Sequence, residues 1–396
     1  MIRRIVLIIL ALIFSLCPSI VAAEDEINIL NSAAEVHFPN ELVFFLEAES
    51  SADIIDARLH YHVDKMNYAR VTSEAWTDFV PASKMETRWT WDMRQASLPP
   101  GSEVTYWWTV EDAAGNRIET PPQVIHFDDN RHSWQSLTRG ILTLFWYEGD
   151  EAFARELMDT CEEGLARLTE GIGTYPEKPI NVYVYASAND LRGSMIFPQE
   201  WTGGVAFTYF GTIAIGISPG NLDWGKSALV HELTHLVVHQ ATFSPYAQLP
   251  IWLDEGLAMH NEGELKPYIR ASLDRAVADD LLISVRSLCS PFSADSEKAY
   301  LSYAESYSLV EYLLDNYGDE KMLALLTIFK EGSTYDDALT AVYGFDINGL
   351  DQRWRESLEA PTLAGLGVPW SHPPIIAALS ALINSLTFPE ALAIKN

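Results

Sequence analysis

The sequence predicts a multidomain protein in which an N-terminal all-β domain is followed by an α+β, mostly helical domain. Short alternating runs of polar and apolar residues before residue 130, and helical periodicity after it, are the observations behind this prediction. At 396 residues the chain is long enough for two or three domains. We expect the β domain over residues 24–130, a linker near 127–134, the helical domain over 131–360, and a Pro-punctuated apolar tail over 361–396.

The β domain is predicted from strand-like runs separated by turn signals. Residues 42–48, 58–63 and 104–110 are rich in β-branched and aromatic side chains, and the last two runs alternate apolar with polar positions. Pro- and Gly-containing turns lie at 98–102 and 112–116. About a hundred residues of such strands are typical of a fibronectin- or immunoglobulin-like sandwich. We expect this domain to act as a spacer or to dock a substrate or surface partner.

The first 23 residues have the pattern of a secretory signal peptide. Arg3 and Arg4 precede an apolar run over residues 5–16, and small residues near Ala23 predict cleavage after about that position. We therefore expect a secreted or extracytoplasmic protein. The apolar runs, including the one in the tail, are short for a stable membrane span. A retained N-terminal anchor is the alternative.

The net charge disfavours some classes of binding partner, and the cysteine content limits the possible disulfides. The net charge of −29 becomes −31 when Arg3 and Arg4 are removed with the signal. Such acidity disfavours binding to nucleic acid and to anionic membrane surfaces. Cys161 and Cys289 remain in the mature chain, and either one disulfide or two buried thiols fits the sequence.

The strongest chemical signal is His-Glu-Leu-Thr-His at residues 231–235. On a helix, His231 and His235 lie one turn apart on one face, where they can hold a single zinc ion. Apolar residues between 229 and 237 cluster on the opposite face, which gives the helix a core side and a cleft side. Asp223 is the expected N-cap of this helix. An amphipathic helix with two solvated histidines is the alternative.

A second segment, Trp-Leu-Asp-Glu-Gly-Leu-Ala at residues 252–258, follows a Pro-containing loop and is predicted to begin another helix. With both segments in this order, the chain resembles the gluzincin metallopeptidases, and within them the peptidase MA-like proteins related to thermolysin and the zinc aminopeptidases. The resemblance covers about residues 134–358 and implies a zincin-like metallopeptidase domain.

The resemblance also implies roles for particular residues. His231, His235 and Glu255 would bind Zn²⁺, with water as the fourth ligand. Glu232 would take a proton from that water and pass it to the leaving amine.

A tyrosine faces the zinc ion in the family that this chain resembles. Tyr303, at the start of a helix predicted over residues 302–317, matches that place best, and Tyr307 one turn later is the rival. Met259 departs from the thermolysin pattern, which has an aspartate at that position. The acceptor that orients the histidines is therefore unassigned, and Asp254 is only a candidate.

Two further features have alternative interpretations. His239 repeats the spacing one turn later, but three such positions drift about 80° around a helix, so we expect it to support the site or lie at the surface. In the resembling family an edge strand beside the zinc helix pairs with the substrate backbone. The Gly-containing segment 201–207 is a candidate for that strand, and an ordinary meander is equally compatible with it.

The sequence therefore predicts a secreted zinc-dependent peptidase that acts on a peptide or protein substrate. The alternative is a non-catalytic surface-binding protein with a structural or vestigial zinc site. Loss of Glu232 or of one ligand would favour that alternative, and none of these residues is lost. Substrate specificity, exo- or endo-cleavage and oligomeric state are not predicted.

Overall fold

The computed structural model describes residues 27–176, 178–198, 202–293 and 295–359. The described residues up to Asp351 form one compact unit that contains both the β-rich region and most of the helical domain. Residues 352–359 belong to a second unit and complete the last helix. The predicted signal peptide over 1–23 and the tail over 361–396 lie outside the described residues.

The N-terminal region is built from strands that share one long central strand. They are β1 (Asn28–His37), β2 (Glu41–Val63), β3 (Ser73–Trp76), β4 (Ala82–Asp92), β5 (Ser102–Asp112), β6 (Arg117–Glu119) and β7 (Gln123–Phe127). The first half of β2 pairs with β1 and β4, whereas its second half pairs with β3 and β5. A register shift between Glu49 and Ile54 separates the two halves. The runs predicted separately at 42–48 and 58–63 are therefore the two halves of one strand.

Side chains from both halves of this seven-stranded sheet pack into a single core. Leu42, Phe44 and Leu46 from β2 and Val104 and Trp108 from β5 all lie buried in it. Full burial of one such side chain stabilises the fold by about 1.5–3 kcal/mol, before the entropy of ordering the chain is subtracted. The alternation in the sequence thus becomes the inner face of a sandwich.

The segment that follows β7 is packed between the two domains. The Asp129 carboxylate is fully buried, and its Oδ2 lies 2.6 Å from Nη2 of Arg131. The Tyr185 hydroxyl donates a second hydrogen bond to Asp129, at 3.0 Å. Arg131 also donates to the carbonyl of Gly193, at 2.7 Å, and lies over the ring of Phe38. The predicted linker is thus a tightly bonded junction.

A second sheet carries the helical domain. Its strands are β8 (Gln135–Arg139), β9 (Leu142–Trp146), β10 (Ile180–Tyr185), β11 (Gly204–Phe207) and β12 (Thr212–Gly216), in the order β11-β12-β10-β9-β8. Strand β10 is parallel to both neighbours, whereas β11 runs antiparallel to β12. This order leaves β11 at the edge of the sheet.

The helices are α1 (Glu151–Ile172), α2 (Ala188–Gly193), α3 (Leu222–Ala241), α4 (Ile251–Glu262), α5 (Pro267–Ala278), α6 (Ser296–Tyr317), α7 (Asp319–Lys330), α8 (Tyr335–Tyr343) and α9 (Ile347–Glu359). The multidomain architecture predicted from the sequence, with an all-β region followed by a mostly helical domain, is confirmed. Within the described residues, none of these helices is both long and apolar enough to cross a membrane.

Two predicted helix starts are wrong. Helix α3 begins at Leu222 after a 3₁₀ turn, so Asn221 takes the cap position and Asp223 lies in the first turn. There its charge still suits the positive end of the helix dipole. Helix α6 begins at Ser296, because the Asp295 side chain caps it by accepting from the N–H of Lys298. Tyr303 therefore lies two turns inside the helix.

Helices α4 and α6 touch at Gly256. A Cβ atom at this position would lie 2.4 Å from the carbonyl oxygen of Ser306 and 2.6 Å from a methyl group of Val310. Only glycine permits so close an approach. The contact places Glu255 and Tyr303, on neighbouring helices, around the same space.

Cys161 and Cys289 are both free thiols. Burial raises the pKa of Cys161 to about 12 and that of Cys289 to about 11, so neither is a reactive thiolate at neutral pH. Of the two alternatives left by the sequence, the structure has two thiols.

Candidate metal centre

Three side chains from α3 and α4 converge on one point. Nε2 of His231 and Nε2 of His235 lie 3.1 Å apart. Oε2 of Glu255 lies 3.3 Å from the first of these atoms and 3.5 Å from the second. The three side chains are 15%, 12% and 19% exposed. The predicted ligands are thus brought together by one helical turn on α3 and by the first turns of α4.

Two carboxylates fix the orientation of the imidazole rings. Glu262 Oε1 lies 2.8 Å from Nδ1 of His231, and Asp254 Oδ1 lies 3.0 Å from Nδ1 of His235. Ionised carboxylates only accept hydrogen bonds, so each Nδ1 carries a proton. With Nδ1 as the donor, the lone pair of each Nε2 is directed at the shared point.

The donor set and its spacing fit a divalent metal ion. Oε2 of Glu255 is buried and makes no hydrogen bond of good geometry; its nearest polar neighbours are the two Nε2 atoms, at 3.3 and 3.5 Å, so one cation shared by all three atoms would satisfy it. Two imidazoles and one carboxylate are a common ligand set for catalytic zinc. Tetrahedral ligands about 2.0–2.1 Å from zinc are separated by roughly 3.3 Å, and the three separations here are 3.1, 3.3 and 3.5 Å.

The electrostatic environment also favours a cation. Burial opposes protonation of His231, but its contacts with Glu255 and Glu262 outweigh this and raise its pKa to about 9. Burial likewise works against ionisation of Glu255, yet the two histidines lower its pKa to about 2. The negative potential that holds protons on these rings would also hold a metal ion, which competes with those protons.

Asp254 and His239 extend this network along α3. Asp254 Oδ2 lies 2.9 Å from Nε2 of His239, while its other oxygen contacts His235. Burial raises the pKa of Asp254, but the nearby histidines outweigh this effect and lower it well below the ordinary value. The position of Asp254 agrees with its proposed role as the acceptor that orients His235. His239 supports Asp254 and is 36% exposed.

Glu262 is the functional candidate that the sequence analysis missed. It lies seven residues after Glu255, which is close to two full turns, so both carboxylates project from one face of α4. Its second oxygen, Oε2, lies 3.3 Å from Nζ of Lys266. The seven-residue spacing between Glu255 and Glu262 is the sequence signal by which Glu262 could have been identified. Met259 is buried and lines a cleft beside His231 and Glu232.

Glu232, the predicted base, lies between the histidines and strand β11. A Cβ atom on Gly204 would lie 2.9 Å from Oε1 of Glu232, so the carboxylate is pressed against the edge strand. Burial raises the pKa of Glu232, and the backbone N–H of Ala206 offsets part of this effect. A carboxylate with raised proton affinity beside a metal site is suited to accept a proton.

The two candidate tyrosines have different surroundings. The Tyr303 ring centroid lies 6.5 Å from that of His231, and its side chain lines the same cleft as Glu232. Burial, with the nearby carboxylates, raises the pKa of Tyr303 above its ordinary value, so the phenol stays protonated and can donate. Tyr307 is buried, and its hydroxyl contacts Glu311 at 3.3 Å. The geometry favours Tyr303 over its rival.

A cleft of about 420 Å³ opens on one side of the centre. Its walls come from α3, α4, α5 and α6 and include Trp224, Met259, Ile269 and Tyr300. A larger concavity, of about 790 Å³, lies on the β sandwich and contains none of the predicted site residues.

Comparison with known proteins identifies the family. The sequence profile of the Peptidase MA superfamily matches residues 160–360, which include every predicted site residue. The chain belongs to the Peptidase MA superfamily. This membership assigns a peptidase domain to the chain, and members of the superfamily are typically metal-dependent. No curated protein matches the sequence significantly.

Solved structures give weaker likenesses to this Peptidase MA protein. Aminopeptidase A of Legionella pneumophila, solved with aspartic acid, is 11% identical; the match covers 83% of this chain and 50% of that protein, with a TM-score of 0.35. A family 56 carbohydrate-binding module that binds β-1,3-glucan is 18% identical over 24% of this chain and 95% of the module, with a TM-score of 0.17. OgpA from Akkermansia muciniphila is 10% identical over 27% of this chain and 28% of that protein, with a TM-score of 0.21. The chain thus spans about half of the Legionella enzyme.

Proposed function

We propose that this protein is a secreted zinc-dependent peptidase that hydrolyses peptide bonds with Glu232 as general base. The observation that carries the proposal is the triangle of Nε2, Nε2 and Oε2 atoms, 3.1–3.5 Å apart, in which the carboxylate oxygen has no hydrogen-bond partner. His231, His235 and Glu255 would hold the metal ion. When bound, zinc would lower the pKa of a water molecule towards about 7 and polarise the scissile carbonyl.

Glu232 would move the proton. Its carboxylate lies on the cleft side of α3, against Gly204, where an attacking water and a peptide on the edge strand would meet. Its raised pKa increases its affinity for the proton of that water. The protonated acid can then deliver the same proton to the nitrogen of the leaving amine.

Tyr303 would stabilise the oxyanion that forms on the carbonyl. Its phenol is protonated and lines the cleft beside His231 and Glu232. A hydrogen bond aimed at the developing negative charge would be stronger in the transition state than with bound substrate, and it would therefore raise the turnover rate.

Strand β11 would hold the substrate backbone. It pairs with β12 on one side only among the described strands, and its start lies against Glu232. An extended peptide can add to such an exposed edge through backbone hydrogen bonds. The apolar side chains of the cleft would then contact the residue that follows the scissile bond.

Metal analysis and peptide cleavage test this proposal together. We expect about one zinc ion per chain, and cleavage of peptides from digested casein that stops on chelation and returns with zinc. The Glu232→Gln protein should retain its zinc and lose turnover, because an amide cannot accept the proton. Exposed Glu170, changed to Gln, is the control.

Two results would contradict the proposal. Equal activity of the wild-type and Glu232→Gln proteins would exclude the assigned base. A zinc-loaded wild-type protein that cleaves no peptide would support the surface-binding alternative.

A further inference from the structure

The β sandwich reaches the peptidase domain close to the metal centre. The loop after β2, residues 64–72, contacts the segment that follows β11 and the end of α3. The backbone N–H of Met66 donates to the carbonyl of Tyr209, at 2.7 Å. The ring of Tyr68 stacks on that of Phe243, with centroids 4.0 Å apart and planes 9° from parallel. The loop is therefore fixed against the peptidase domain by both backbone and ring contacts.

A cavity of about 170 Å³ lies at this contact, and both domains line it. Met66 and Tyr68 form the sandwich side, and residues such as Tyr209, His239 and Phe243 form the peptidase side. Its lining contains no Asp, Glu, Lys or Arg, although the chain has a net charge of −29. Tyr68 is 52% exposed and Tyr209 46% exposed, so aromatic surface is open to a ligand. A volume and lining of this kind suit one apolar or aromatic side chain.

The cavity begins one helical turn from the metal ligands. His239, which lines it, has its ring centroid 6.5 Å from that of His235, and both rings contact Asp254. Strand β11 connects the same two places: its first residue, Gly204, lies against Glu232, and Thr208, immediately after its last residue, lines the cavity.

The direction of β11 determines which part of a peptide would reach the cavity. Antiparallel pairing is slightly more stable than parallel pairing. A peptide antiparallel to β11 runs from the cavity towards Glu232, so the cavity receives residues on the N-terminal side of the scissile bond. At about 3.3 Å per residue, the length of β11 places the cavity roughly two to four residues before that bond.

We propose that the sandwich loop 64–72 completes a substrate subsite, in which Tyr68 contacts an apolar or aromatic side chain two to four residues before the scissile bond. This inference rests on the proposed peptidase function. It gives the sandwich a direct part in substrate selection, in addition to its packing against the catalytic domain.

Cleavage-site mapping of digested casein by mass spectrometry provides the first measurement. We expect apolar and aromatic residues to be enriched two to four positions before the cleaved bond. The best-cleaved sequence is then synthesised as a nested set, shortened from its N-terminal end. Loss of the residue that fills the cavity should lower kcat/KM by about 5- to 10-fold, the size expected for one aromatic contact.

Two variants change the cavity in opposite ways. Tyr68→Ala removes its aromatic wall, and Ala247→Phe fills it from the peptidase side. In both variants, kcat/KM for the long peptide should fall towards that for the shortened one. Tyr175→Ala is the matched control, because Tyr175 is similarly exposed, at 55%, and lines no part of this cavity. Ala247→Phe keeps the test valid if Tyr68→Ala loosens the packing of the sandwich.

The outcomes separate this inference from the proposed function. If the wild-type protein cleaves long and shortened peptides equally well, or if both cavity variants keep the full preference, the subsite is excluded and the peptidase remains. A preference that depends only on residues after the scissile bond also overturns the inference. A protein that cleaves no peptide overturns the proposed function and the subsite with it.

Discussion

The candidate metal centre and the interdomain junction are both buried clusters of charge, but they differ in how the charge is neutralised. At the junction, Asp129 is matched by Arg131 and by the hydroxyl of Tyr185, so each buried charge has its partner within the chain. At the centre, Oε2 of Glu255 has no hydrogen-bond partner, and the Nε2 atoms of His231 and His235 converge on the point that it faces. A cluster that is complete stabilises the fold. A cluster in which carboxylates outnumber the fixed positive charges attracts a cation.

Of the changes considered, removal of the Glu255 carboxylate should have the largest effect on zinc binding. In the Glu255→Ala protein the zinc content should fall from about one ion per chain to almost none, because two histidines on one helix hold zinc weakly. The fold should remain, and zinc should no longer raise the unfolding temperature. Metal analysis and thermal unfolding with and without zinc would measure this, with Glu264→Ala, an exposed neighbour beyond the end of α4, as the control. Full zinc occupancy in Glu255→Ala would exclude the assigned ligand set.

A change at Asp129 should lower the stability of the fold and leave zinc binding unchanged, which is the opposite of the result expected for Glu255. Asp129→Asn should lower the free energy of unfolding by about 3 kcal/mol, near the low end for a broken buried pair, because Arg131 is partly exposed. Zinc content should not change. Urea unfolding would measure the loss, and exposed Asp128→Asn is the adjacent control. An unchanged unfolding midpoint would show that the junction does not stabilise the fold.

The same junction predicts a pH dependence. Burial raises the pKa of Asp129, but hydrogen bonds and the charge of Arg131 outweigh it, and the net shift is downward. A lowered folded-state pKa contributes stability that is present above the unfolded value of about 3.9 and is lost as the pH falls through the folded value. The stability difference between wild type and Asp129→Asn should therefore shrink below about pH 4.

Tyr303 should affect turnover without affecting either cluster. Tyr303→Phe should lower kcat by about 10²-fold, the usual loss for one oxyanion donor, while zinc content and folding remain unchanged. Tyr307→Phe is the control, because its hydroxyl contacts Glu311 in the helix packing. Wild-type turnover of Tyr303→Phe, with a substrate whose chemistry is rate-limiting, would remove this residue from the proposed site.

The sequence predicted those parts of the fold that depend on local periodicity. Alternation identified the strands around Leu59 and Trp108, and a four-residue spacing placed His231 and His235 on one face. The largely polar segment 49–53 concealed the continuity of β2, because a register shift within a long strand resembles a turn in sequence.

Features that depend on packing between distant segments could not be predicted from local sequence patterns. Tyr303 was found only through the family resemblance, and its place in the cleft depends on the close contact of Gly256 with Ser306. The contact of Tyr68 with Phe243 joins segments far apart in the chain, and no local pattern indicates it. The sequence offered Asp254 as a candidate acceptor, whereas Glu262 can be identified only from the periodicity of α4 over two turns.

Glu262 combines the two kinds of contact compared above. One of its oxygens contacts His231, a candidate metal ligand, and the other contacts Lys266, a positive charge within the chain. Glu262→Gln would keep a hydrogen-bond acceptor for Nδ1 of His231 but remove the negative charge that makes the ring a stronger metal ligand. We expect zinc affinity to fall by about 10- to 100-fold, as for other acceptors of ligating histidines. Competition with a zinc-binding dye would measure this, and Glu264→Gln should leave the affinity unchanged. The loss should be smaller than that of Glu255→Ala, because all three proposed ligands remain. Unchanged zinc affinity in Glu262→Gln would show that His231 is oriented by its packing. Glu262 would then stabilise the fold, as Asp129 does, and would not support metal binding.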